Sequence, residues 1–183
     1  MVSDWLASMA VSTKMSGYTE GLDTEADFVN QVTGEAMGLA QTGFVSFGGP
    51  IINPIVKYAE SDSTPTADWA PIRFQYDVSI FRFKHSDGTA IQNAYLPVSV
   101  INNDQDMFVI EVYRDGDGRY FMLCYGFGWK GTYAAGKYFD QIVYPDIENY
   151  EVDWIIVKWQ DSDGNGFVNN PGDGDAYTLI ASG

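Results

Sequence analysis

One cysteine and one histidine occur among 183 residues. A lone Cys124 excludes an internal disulfide. It sits in the apolar run Tyr120-Phe-Met-Leu-Cys-Tyr125 and reads as a small core residue rather than a nucleophile. His85 and Cys124 are the only soft donors and lie far apart in sequence, so a zinc site is not expected. Basic residues are also scarce: 10 Lys and Arg face 25 Asp and Glu, a net charge of -15. That excess repels phosphate backbones and anionic headgroups, so neither nucleic acid nor an acidic membrane is an expected partner. No apolar stretch approaches the roughly 18 residues of a membrane span. There is no internal repeat, low-complexity tract, G-x-S-x-G elbow or HExxH pair. His85 adjoins the polar turn Ser86-Asp-Gly88 and reads as a surface residue, not a general base. Met1 to Met15 has no basic stretch followed by an apolar block, so it is not an intact signal peptide. Export would need a leader or anchor outside this sequence.

What is present points to an ordered, sheet-rich domain. The chain is 45% hydrophobic and 15% aromatic, with 19 Gly for tight turns. Aromatic residues pack well on a pleated surface, and the length suits one domain with a real core. We expect a single compact α+β domain over 1–183, with mainly antiparallel hairpins and a few short helices. Residues 1–40 form an irregular and helical N-terminal segment, and 44–183 form the sheet core with an acidic loop at 161–175. Asp4 is expected to cap a helix over Trp5 to Met9, with a helical turn around Thr24 to Val29 and a polar loop over Ser61 to Thr66. Phe44 to Phe47 reads as a short strand, and Asn53-Pro54 starts a helix reaching about Glu60, with Asn as the cap and Pro in the first turn.

From Ile72 the period is two: Ile72, Phe74, Tyr76, Val78 and Ile80 alternate with polar residues. This predicts one strand continuing to Phe83, a turn at Ser86 to Gly88 and a return over Ala90 to Val100. Pro97 there suits an edge strand or a bulge. A second hairpin joins Met107–Tyr113 to Arg119–Phe127 through Asp115-Gly-Asp-Gly118. A helix over Thr132–Phe139 and strands over Tyr150–Trp159 and Ala176–Ala181 complete the expectation.

The segment Asp161-Ser-Asp-Gly-Asn-Gly-Phe-Val-Asn-Asn-Pro-Gly-Asp-Gly-Asp175 carries the sharpest chemistry. Asp161, Asp163 and Asn165 place oxygen donors at alternate positions and Gly166 follows, as in the first half of an EF-hand calcium loop. Phe167 would offer its carbonyl, and Val168 an apolar anchor. The twelfth position, normally a bidentate Glu, is Gly172, so Asp173 or Asp175 would close the shell. The preceding segment reads as a strand, which places the loop in the wider DxDxDG class. The competing interpretation is a solvated acidic turn. Four Asp in fifteen residues with no Lys or Arg between them favour an oxygen-coordinated cation, and calcium over magnesium for a flexible loop with carbonyl ligands.

Other features carry less. Asp115-Gly-Asp-Gly118 is explained by its hairpin, with a metal role second. Gly48-Gly-Pro-Ile-Ile-Asn53 and Gly126-Phe-Gly-Trp-Lys-Gly-Thr-Tyr-Ala-Ala-Gly136 each join a strand to a helix through glycines. Such turns can hold phosphate, but neither has GxGxxG spacing or a P-loop Lys, and close packing is the better reading. The two turns are expected side by side at one sheet edge. Trp69, Trp129, Trp154 and Trp159 are candidates for a sugar platform, although buried packing is the commoner use. A glycan-binding module or glycoside hydrolase is therefore the alternative functional reading.

Phe44-Val-Ser-Phe-Gly-Gly-Pro-Ile-Ile-Asn53, Tyr125-Gly-Phe-Gly-Trp-Lys-Gly-Thr-Tyr-Ala-Ala-Gly136 and the Trp159–Gly183 tail with its DSDGNGF loop occur in an order that resembles archaeal S-layer and S-layer-associated surface proteins. The likeness spans roughly residues 40 to 183. It implies an extracellular, non-enzymatic structural or interaction domain stabilised by calcium, with surface-layer subunits or cell-surface glycans as partners.

Overall fold

Met107-Phe-Val-Ile110 is a continuous apolar run because its strand is buried on both faces. Met107 and Val109 pack into one core cluster, while Phe108 and Ile110 pack into another on the opposite face. That follows from the alternation of side chains across a strand. The computed structural model describes residues 2–14, 27–38, 43–60 and 70–183. The expected loop at Ser61 to Thr66, Trp69, and Thr24 to Ala26 of the expected helical turn lie outside them.

The elements are α1 (Val2–Ser12), β1 (Gly43–Phe47), α2 (Pro54–Ala59), β2 (Ile72–Asp77), β3 (Ile80–His85), β4 (Ala90–Pro97), β5 (Gln105–Arg114), β6 (Tyr120–Gly126), α3 (Trp129–Tyr138), β7 (Trp154–Gln160) and β8 (Ala176–Ser182). A five-stranded sheet runs β1-β6-β5-β7-β8 and a three-stranded sheet runs β2-β3-β4. All pairs are antiparallel except β1 with β6. The fold is thus α+β and sheet-dominated, in three layers. Ile72, Phe83 and Leu96 of the small sheet meet Val109, Leu123, Tyr125 and Ile156 of the large one. Across the large sheet, Val11 of α1 and Ala134 and Ala135 of α3 pack with Phe108, Cys124 and Trp159. Cys124 is fully buried, and burial pushes its thiol far above the ordinary range. The helices cross closely, because a Cβ on Gly136 would lie 2.6 Å from Ala7 Cα. Among the described residues no helix is long and apolar enough to cross a membrane.

The clearest strand expected from sequence divides in two. Ile72 to Phe83 is not one strand: it reverses at Val78-Ser79, with Asp77 paired to Ile80, and Asp77 Oδ1 accepts the Val78 amide at 2.7 Å. The inward set changes parity across the turn, from Ile72 and Phe74 to Phe81 and Phe83, which pair with Tyr76 and Phe74. Pro97 ends β4, an edge strand, as its missing donor requires.

Other boundaries shift. Asp4 lies inside the first turn of a longer α1 rather than capping it, and 27–29 form a turn and an isolated bridge from Val29 to Ala36. Asn53 does cap α2, its Oδ1 accepting the amides of Ile55 and Val56 at 2.9 and 3.3 Å. α3 begins at Trp129 rather than Thr132 and continues as a π turn over Phe139–Val143. A 3-10 segment, Tyr144–Asn149, delays β7 to Trp154.

Candidate metal centre

The loop between β7 and β8 is built from side chains folding back on their own backbone. Asp161 Oδ1 and Oδ2 accept the amides of Gly164 and Gly166, both at 2.8 Å. Gly166 has φ +80°, a conformation that a side chain would strain. Asp163 Oδ1 accepts the Asn165 amide at 3.1 Å, and Asn165 Oδ1 accepts that of Phe167 at 2.7 Å. Val168 turns inward, 6% exposed and part of the helix-side core. Pro171 and Asp175 bridge as the chain returns to β8. Gly174, at φ +105°, passes so close that a Cβ there would meet Asp163 Oδ2 at 2.6 Å.

These contacts bring Asp161, Asp163 and Asp175 together, with one carboxylate oxygen from each lying within 4.8 Å of the others. Asp175 is 7% exposed. Its Oδ2 accepts the indole N–H of Trp159 and the amide of Asn169, both at 2.7 Å. Its Oδ1 is buried and has no hydrogen-bond partner. A buried carboxylate oxygen without a donor is costly, and here it belongs to a cluster of three like charges. None of the three carboxylates makes a salt bridge with a described residue. Desolvation pushes the Asp161 carboxyl up, but the Gly166 and Gly164 amides, with Asp163 and Lys130, hold it below its ordinary value. It is thus poised to stay ionised. The arrangement offers anionic oxygen donors on one side of a tight turn, which is the chemistry of a hard divalent cation.

Of the six residues singled out from sequence, the cluster takes Asp161, Asp163 and Asp175. Asn165 stands beside it, donating through Nδ2 to Asp163 Oδ2 at 2.8 Å. The Phe167 side chain is 72% exposed. Asp173 lies outside the carboxylate cluster: it is exposed and accepts from Asn170 Nδ2 at 3.3 Å. Sequence reasoning missed Trp159 and Asn169. Asn169 also donates to Asp163 Oδ2 at 3.1 Å, and its carbonyl accepts the Tyr177 hydroxyl at 2.7 Å. The presence of Asn169 within the acidic segment was the available signal. Nothing local to Trp159 announced its role. On the far side, Lys137 Nζ of α3 reaches Asn170 Oδ1 at 3.0 Å and ties the loop to the helical layer.

The other candidates resolve differently. Asp115-Gly-Asp-Gly118 forms the β5–β6 turn, but its charge is met by Arg119, whose Nε lies 2.6 Å from Asp115 and Nη2 3.0 Å from Asp117. The two glycine turns stand side by side, since β1 pairs parallel to β6, and Gly48, Gly49, Gly126 and Gly128 line a cleft of about 230 Å³. Phosphate is a poor fit there, because Asp106 Oδ1 already accepts the Gly128 amide at the start of α3, at 3.2 Å. Trp154 and Trp159 are buried and offer no sugar platform, whereas Trp129 is half exposed. His85 is half-buried and packs edge-on against Trp154 at 5.6 Å, so it is less exposed than its flanking turn suggested. No protein-family model, curated protein or solved structure matches this chain.

Proposed function

We propose that this chain is a non-enzymatic structural or interaction domain stapled by one calcium ion at the 161–175 loop. The observation that carries the reading is the buried, unpartnered Asp175 Oδ1 within a cluster of three carboxylates. A cation there would replace the missing donor and cancel the repulsion in one step. Asp161, Asp163 and Asp175 supply anionic ligands, with loop carbonyls and water completing the larger shell that calcium takes. The loop connects the inner strand β7 to the edge strand β8. Binding would therefore fasten a sheet edge and its link to α3, which is a staple's role rather than a switch's.

The resemblance in motif order to archaeal surface-layer proteins extends the reading to a domain at the cell exterior. Its partners would be other surface-layer subunits or cell-surface glycans. Millimolar free calcium is expected to raise the melting temperature relative to chelator. At a hundredfold excess over Kd the gain is about 2.7 kcal/mol. Asp161→Ala combined with Asp163→Ala should abolish it. Superimposed melting curves with calcium and with chelator would defeat the proposal.

A further inference from the structure

We infer that Glu60 and Glu111 form a proton-operated latch on the edge of β2 that faces away from β3. β2 is an edge strand of the small sheet, and such edges leave amides that need a partner. Here the partners are carboxyl groups. The Ile72 amide donates to Glu111 Oε2 and the Phe74 amide to Glu60 Oε2, each at 2.9 Å. Glu111 comes from β5 and is fully buried; Glu60 follows α2 and is 9% exposed. The pair thus joins the small sheet to the large sheet and to α2.

The latch has few groups to balance its charge. The Tyr125 hydroxyl of β6 bonds Glu60 Oε1, and Arg73 of β2 favours the ionised Glu60. Tyr113 of β5 also feels both carboxyls. Glu111 Oε1 is buried without a hydrogen-bond partner. Burial raises the Glu60 carboxyl to about 7, against the bonds from Tyr125 and Phe74 and the charge of Arg73. Burial, and then the charge of Glu60, lift Glu111 well above the ordinary range. Two like charges in one dry space resist joint ionisation. With a proton on Glu111 the edge amides stay capped at little electrostatic cost. When both protons leave, the pair must be hydrated, and the bonds given up are those to the Ile72 and Phe74 amides of the β2 edge. Phe74 and Tyr125 also line the cleft beside the glycine turns, so release widens that cleft.

The test is residue-resolved amide hydrogen exchange at pH 6 and pH 9, expressed as protection factors. Ile72 and Phe74 should lose protection by about tenfold or more, since one pKa unit is tenfold in population. Leu123 and Cys124 in β6 should hold theirs. Glu111→Gln should remove the pH response at both β2 amides, and Glu60→Gln should blunt it, so either variant suffices if the other fails to fold. Equal loss in β2 and β6, no loss in β2, or a wild-type response in Glu111→Gln or in Glu60→Gln would each overturn the latch.

Discussion

Replacing Arg119 by Met should cost about 4 kcal/mol, because it strands a buried carboxylate and a buried carbonyl together. Arg119 is 5% exposed and Asp115 8%. The guanidinium Nε lies 2.6 Å from Asp115 Oδ2, and Nη1 donates to the Ala36 carbonyl, which anchors 27–38 to the β5–β6 turn. Breaking a buried pair on one side costs about 3–5 kcal/mol. An orphaned buried acceptor adds about 1–3. The two together span about 4–8 kcal/mol, and Asp115 Oδ1 keeps the amides of residues 117 and 119, at 3.0 and 2.8 Å, which holds the total at the lower end. The contacts to Asp117 and Glu35 matter less, because those side chains are 67% and 34% exposed. Urea unfolding of the variant beside the unaltered chain reads the value. The double variant Arg119→Met with Asp115→Asn should recover about half of the loss, because it removes the stranded charge. A single-variant cost below about 1 kcal/mol, or a double variant no more stable than the single, would refute the reasoning.

Two further outcomes follow from the close contacts of α3. Burial, working against the amides of Met107, Gly131, Gly128 and Phe127, raises the Asp106 carboxyl from 3.8 to about 7. The folded state then holds this proton longer than the unfolded chain, so its stabilising share is complete below pH 3.8 and is lost as pH rises to about 7, a total of about 4 kcal/mol. Asp106→Asn should flatten that part of the urea-measured pH profile, and an unchanged slope would count against it. Gly126→Ala should destabilise by about 2 kcal/mol or more, because its Cβ would fall 2.4 Å from Gly131 Cα. Gly43→Ala, with nothing within 4 Å of its Cβ, is the control for the same thermal melt.

The hairpin of β5 and β6 was legible because Asp-Gly pairs and aromatic strand residues lie next to one another in sequence. Asn53 was legible for the same reason, since a cap acts within three residues. The reversal at Val78-Ser79 was not, because it uses neither Gly nor Pro. Its only trace is the parity change that puts Phe81 and Phe83 inward. The two matching glycine turns marked the ends of β1 and β6 as neighbours at one sheet edge, but their parallel register joins residues far apart, which no local pattern records. In the loop, donor spacing marked Asp161 and Asp163, but Asp173 and Asp175 look alike in sequence. What separates them is the Pro171–Asp175 bridge and the Trp159 indole, which draw one carboxylate inward. The burial of Glu60, Asp106 and Glu111 was equally hidden, because these carboxyl groups accept amides from segments distant in sequence.

Calcium at the 161–175 loop is tested most directly by terbium luminescence, with terbium standing in for calcium. Trp159 donates to Asp175 Oδ2 at 2.7 Å, so an ion on that carboxylate lies within energy-transfer range of the indole. Exciting tryptophan should give sensitised terbium emission that calcium displaces, that Trp159→Phe largely removes, and that Asp175→Asn abolishes. Emission that is absent, or that persists unchanged in Asp175→Asn, would contradict the account.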